Sequence, residues 1–148
     1  LYTRERARPD LVVPAATTSE ATPHVAAAAA LLVGVARDLP RLSRDPVVRS
    51  VRTRAAGMVP NAGRAEVIRS VLMAGAARRT KATQVPGIAD YAARAGDRTR
   101  NGLDRRYGAG QLDIDASHRI LTAGEQDSRE DARAGSAAVA RRGFDYDP

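Results

Sequence analysis

The stretch from Val25 to Ala36 constrains this chain most: twelve consecutive residues in which only Gly34 interrupts alanine, valine and leucine. A run that is apolar on every side has no natural solvent face. It predicts a helix at the buried centre of a layered domain. Twelve residues are too few to cross a bilayer, which takes about 20. Thr22 suits the N-cap and Pro23 the first helical position, so the helix is expected to start there.

The remaining elements arrange themselves around that helix. Asp10-Leu11-Val12-Val13, ending at Pro14, reads as a short buried strand. Asp45-Pro46 repeats the cap-then-proline signal, and Val47, Val48, Val51 and Ala55 give helical spacing up to Gly57, which predicts a second helix. Asn61 to Arg64 open a third, with Val67, Ile68, Val71 and Leu72 on one face. Residues 79–106 are polar and rich in turn formers apart from Val85 to Ala92, and read as a long surface loop. Asp113 or Asp115 caps a last helix through Ile120 and Leu121. From Glu125 to Gly143 the composition loses periodicity, as in a linker or disordered tail, before two aromatics, Phe144 and Tyr146.

Composition narrows the function classes. The chain has 148 residues, about one domain, and no cysteine, which excludes a disulfide-stapled miniprotein and a cysteine-ligated metal site. Its formal charge is +7, yet Lys81 is the one lysine and alanine occurs 30 times. That skew reads as a coding bias toward Arg and Ala rather than as a polyanion-binding surface. Residues 1–60 carry a net +4, residues 61–110 +6 and residues 111–148 −3. The nearest thing to a phosphate patch is Arg98, Arg100, Arg105 and Arg106, with Tyr107 the one aromatic beside them. A nucleic-acid surface interleaves more stacking partners than this, so a solvated loop is expected. Gly108 and Gly110 lack the third glycine of a dinucleotide site, and Asp113-Ile114-Asp115 lacks the other ligands of a calcium loop.

The chemistry-bearing stretch is Thr17-Thr18-Ser19-Glu20-Ala21-Thr22-Pro23-His24-Val25-Ala26, leading into Ala27 to Leu32. It resembles the nucleophile motif of the subtilisin-like serine peptidases, G-T-S-x-A-[ST]-P-H-V-A-G-A-A-A-L, at thirteen of fifteen places. The departures are Thr17 and Ala27, each for a glycine. Three further stretches follow the family's order. Arg8-Pro9-Asp10-Leu11-Val12-Val13-Pro14 resembles its K-P-D-[LIV]-x-A-P-G strand. The run from Val67 to Ala76 is similar to its V-[KR]-x-x-L-x-x-T-A helix, and Tyr107-Gly108-Ala109-Gly110-Gln111-Leu112-Asp113 to G-x-G-x-[LV]-[ND]. The resemblance covers residues 8 to about 121, although only Ala15 and Ala16 separate the first strand from Thr17, a shorter connection than the family's.

Physical chemistry gives Ser19 a role on its own account. A serine hydroxyl needs a base to take its proton and fixed donors to hold the oxyanion. A position just ahead of a buried helix aims backbone N–H groups and the positive end of the helix dipole at the reacting centre. The plainer alternative is a Ser/Thr capping cluster in front of a core helix. The subtilase triad runs Asp, His, Ser along the chain, and by resemblance the Asp, the His and the oxyanion-hole Asn all precede the segment seen here. His24 belongs to the serine motif and is structural by resemblance. A Ser19, Asp113 or Asp115, His118 triad in the α/β-hydrolase order lacks the G-x-S-x-G elbow.

The expected fold is therefore α/β and subtilisin-like, a mainly parallel sheet with flanking helices, of which this piece is mostly helical with one or two strands. Residues 1–122 form the C-terminal part of the catalytic domain, and residues 123–148 a linker or disordered tail. The expected activity is serine endopeptidase chemistry through an acyl-enzyme on Ser19, with the triad Asp and His in an upstream part that the opening Leu1 implies. The alternative is an inactive pseudopeptidase remnant or a helical binding module. The partners expected are a polypeptide substrate and the missing N-terminal part, with no nucleic acid and no membrane span. No cofactor is evident, and the resemblance leaves room for calcium in the parent. It also implies secretion or the cell envelope.

Overall fold

The computed structural model of the chain describes residues 10–43, 51–53, 57–78, 103–104, 107–126 and 142–146. The expected loop arginines Arg98, Arg100, Arg105 and Arg106, and the Val85 to Ala92 patch, lie outside them. Among the described residues three α-helices, α1 (Thr18–Asp38), α2 (Ala65–Gly75) and α3 (Ile114–Thr122), surround one small core. Two short strands, β1 (Val51–Thr53) and β2 (Gly57–Val59), pair as an antiparallel hairpin with Val51 opposite Val59.

Helix α1 begins at Thr18 rather than at Pro23, because Thr17 and Glu20 form a stronger start signal than Thr22 and Pro23. The Thr17 hydroxyl accepts from the Glu20 N–H at 3.2 Å, and the Glu20 carboxylate reaches back to the Ala16 N–H at 3.0 Å. This is a capping box displaced by one residue on its return arm. Pro23 then sits inside the helix and brings no N–H to the carbonyl of Ser19 one turn earlier. The helix ends at Asp38, where Leu39 precedes Pro40 and leaves helical angles.

The expectation that α1 is buried all round meets a narrower outcome. Its buried residues are Ala28, Leu32 and Ala36, one stripe at a spacing of four, while Leu31 is 65% exposed. The described elements cover the helix on one side only. With 21 residues it is also long and apolar enough to cross a membrane, a property it shares with the core helices of soluble proteins and with signal sequences.

Helix α2 delivers the expected face: Val67, Ile68, Val71 and Leu72 are all buried. It packs closely on α3, where a Cβ on Gly75 would come within 2.5 Å of Ser117 Oγ and 2.6 Å of its backbone nitrogen. Asp113 caps α3 as expected, its carboxylate accepting from the Ala116 N–H at 2.9 Å. The expected helix from Val47 to Gly57 is different. Residues 51–53 and 57–59 form the hairpin, and residues 44–50 lie outside the described set.

Extended backbone crosses the molecule at a second place. Val12 bridges Gln111 in parallel, with the Val12 N–H to Gly110 O at 3.0 Å and the Leu112 N–H to Val12 O at 2.9 Å. Gln111 exchanges both bonds with Ala77 on its other side, at 2.9 and 2.8 Å. The 110–112 segment is thus the middle of three. Gly110, at φ +140°, is required there, since a Cβ would meet Ala77 O at 2.6 Å.

A buried polar knot closes the other end of the core. Asn61, fully buried, donates to both carboxylate oxygens of Glu125 at 3.0 and 3.3 Å, and Ser43 Oγ accepts from the Ala62 N–H at 3.0 Å. Residues 127–141 and 147–148 of the expected tail lie outside the described set; of the rest, Glu125 and Phe144 are buried and bridge one another in parallel. Tyr146 accepts a hydrogen bond from Arg64, whose guanidinium lies 4.2 Å from the ring centroid.

Candidate active site

Ser19 is the second residue of α1 and is exposed. Of the first helical N–H groups, that of Glu20 goes to the Thr17 hydroxyl and that of Ala21 to the Thr17 carbonyl at 3.1 Å. The N–H groups of Thr18 and Ser19 have no protein partner. They are the orphan donors that every helix start presents, and the helix dipole adds partial positive charge at the same place. An oxygen carrying developing negative charge beside Ser19 meets both.

The residues around Ser19 are held by local bonds. Thr22 Oγ1 donates to the Thr18 carbonyl at 2.8 Å, reinforcing the turn that Pro23 leaves one bond short. Thr17 has φ −136° and ψ 160°, extended angles open to any residue, so threonine sits there without backbone strain. Glu20 is a contrary feature: its carboxylate, tied to Ala16, adds negative charge one residue beyond the serine.

The histidines stand apart from Ser19. His24, exposed on α1, is five residues on, which a helix turns into about 140° of rotation and about 7.5 Å of rise. His118 is exposed on α3. Asp113 is taken by the α3 cap, and Asp115 by an ion pair with Arg119 on its own helix. No hydrogen bond joins Ser19 to Asp113, Asp115 or His118, so the α/β-hydrolase-type triad is not assembled by contacts. Among the described residues no three His, Cys, Asp or Glu side chains gather as a metal site.

Beside the start of α1 opens an apolar groove of about 980 Å³. Its walls are the 10–13 segment, the α1 residues Thr18, Thr22, Val25 and Ala29, and the α2 residues Ile68 and Leu72. Ser19 is not among the wall residues, although its neighbours Thr17 and Thr18 are. Sequence reasoning passed over two features here. The capping box was legible as Thr17-x-x-Glu20. The groove had no local signal, because three separate segments enclose it.

No family model, no curated protein and no solved structure matches the chain.

Proposed function

We propose that the chain is the C-terminal, serine-bearing part of the catalytic domain of a subtilisin-like serine endopeptidase, with Ser19 as its nucleophile. The observation that carries this is the placement of an exposed serine at the second position of a long helix, with its own N–H and that of Thr18 unspent. The four ordered sequence stretches support it. So does the pairing of two of them, the 10–13 segment beside 110–112.

In this reading Ser19 Oγ attacks the carbonyl carbon of a peptide bond while a histidine from the upstream part takes its proton. The Ser19 N–H donates to the oxyanion, joined by an upstream donor. The tetrahedral intermediate expels the amine, which receives the proton from that histidine, and leaves an ester on Ser19. Water, deprotonated by the same histidine, then releases the acid. No step uses calcium or another metal. His24 serves the helix, not proton transfer.

The second reading, an inactive remnant or helical binding module, is favoured by the Glu20 carboxylate next to the serine. Hydrolysis of a chromogenic peptide by the intact parent separates the two. The peptidase reading expects turnover that Ser19→Ala reduces by several orders of magnitude. A folded parent without turnover, or a Ser19→Ala variant as active as the unsubstituted parent, supports the remnant or module.

A further inference from the structure

Residues 142–146 return to the molecule as a short segment with anchoring chemistry of its own. Phe144 is buried, Asp145 exposed and Tyr146 half-buried, the alternation of an extended chain with one face inward. The Phe144 N–H donates to Gly124 O at 3.2 Å, and its carbonyl accepts from the Gln126 N–H at 2.7 Å, which makes the parallel bridge to Glu125. Tyr146 accepts from Arg64, whose guanidinium stands over the ring. Gly143 lies close against the same stretch: at φ +132°, a Cβ there would come within 2.9 Å of Gly124 O. The cradle that receives the segment is tied together by other bonds. The Glu125 N–H donates to Leu42 O at 2.8 Å, the Gly124 N–H to Leu121 O at 3.0 Å and the Ala62 N–H to Ser43 Oγ at 3.0 Å, while Asn61 holds the Glu125 carboxylate. None of these bonds passes through residues 142–146.

We infer that this cradle is a recognition site for an extended Gly-Phe-Asp-Tyr segment, which residues 143–146 occupy in cis as a separable ligand and which a second copy of the chain can supply in trans. Its parts are those of peptide binding by strand addition: a backbone edge at 124–126, an apolar seat for one aromatic ring and a cation for a second. The contacts set the selectivity. A side chain in place of Gly143 strikes the Gly124 carbonyl, the Phe144 ring joins the core cluster, and Arg64 selects an aromatic ring that carries a hydroxyl oxygen. Attachment to the same chain gives the tail an effective concentration of about millimolar. A free peptide therefore enters well only where the tail is displaced. Ser19 plays no part in this site, so peptidase activity and tail recognition stand or fall separately.

The test follows backbone amide chemical shifts of the isotope-labelled whole chain during titration with the peptide Arg-Gly-Phe-Asp-Tyr-Asp, the sequence of residues 142–147. Two substitutions vacate the cradle: Phe144→Ala removes the ring, and Gly143→Val sets a side chain against Gly124 O. Saturable shifts at Gly124, Glu125 and Gln126 are expected in both, with affinity about tenfold above that of the unsubstituted chain, whose own tail competes. Peptides carrying Gly143→Val, Phe144→Ala or Tyr146→Ala should each bind about tenfold more weakly or worse, as the loss of an aromatic anchor or a close fit demands. Where a vacated chain loses its fold, circular dichroism reads whether the peptide restores the helix signal, and restoration supports the site equally. Chains that stay unfolded with peptide present show residues 143–146 to be inseparable from the core and overturn the inference. So do folded, vacated chains without shifts, an unsubstituted chain that binds as tightly as the vacated ones, or a reversed-sequence peptide that binds as well.

Discussion

Gly110→Ala tests whether the 10–13, 110–112 and Ala77 segments form one unit that anchors the start of α1. Gly110 sits at φ +140°, and a Cβ there would lie 2.6 Å from Ala77 O and 3.0 Å from its carbonyl carbon. Both partners are backbone, so neither can swing aside. A residue held in such a conformation costs about 1–3 kcal/mol, before the clash is counted. The bonds at stake are specific: the Gln111 N–H to Ala77 O and the Leu112 N–H to Val12 O, each 2.9 Å. Amide hydrogen exchange at Gln111 and Leu112 reads them directly, and that free energy corresponds to about 5- to 150-fold faster exchange. Gly34→Ala is the control. A Cβ there meets nothing within 4 Å, and Gly34 lies inside α1 without positive φ. It is expected to leave Gln111 and Leu112 unchanged and to slow exchange within α1, since alanine favours a helix interior by about 0.5–1 kcal/mol over glycine. Unaltered exchange at Gln111 and Leu112 in a folded Gly110→Ala chain would refute the reasoning.

Three further outcomes follow from the same contacts. Thr17→Ala removes the acceptor for the Glu20 N–H and is expected to destabilise α1 by about 1 kcal/mol, seen as faster exchange in its first turns; Thr17→Asp should restore it. Asn61→Ala leaves the buried Glu125 carboxylate without two hydrogen bonds and should cost about 1–3 kcal/mol in urea unfolding. Arg69→Ala breaks an ion pair whose side chains are 52% and 41% exposed, so the urea midpoint should move by less than Asn61→Ala moves it.

What the sequence made legible was what local chemistry decides. Asp113 capped α3, and the spacing of Val67, Ile68, Val71 and Leu72 gave the face of α2, because side chains within one turn suffice for both. The apolar run from Val25 gave α1 its existence but not its start. Two cap signals competed there, and Thr17 with Glu20 satisfies two backbone donors where Thr22 with Pro23 offered a capping hydroxyl and a fixed φ. The β1–β2 hairpin was hidden because Val47, Val48, Val51 and Ala55 also fit a helical period, and strands of three residues are too short to outvote it. Asn61 finding Glu125, 64 residues away, left no trace in sequence spacing. At the candidate site, the motif singled out Ser19 as a candidate, whereas the unspent N–H of Ser19 and the groove near the start of α1 depend on where α1 begins and on how three distant segments meet.

Fluorophosphonate labelling of the intact parent tests the central claim most directly, with the modified residue located by peptide mass spectrometry. The account predicts a covalent adduct on Ser19, lost on Ser19→Ala and blocked by prior denaturation. A folded parent that takes up no probe, or one that carries the adduct on a different serine, would contradict it.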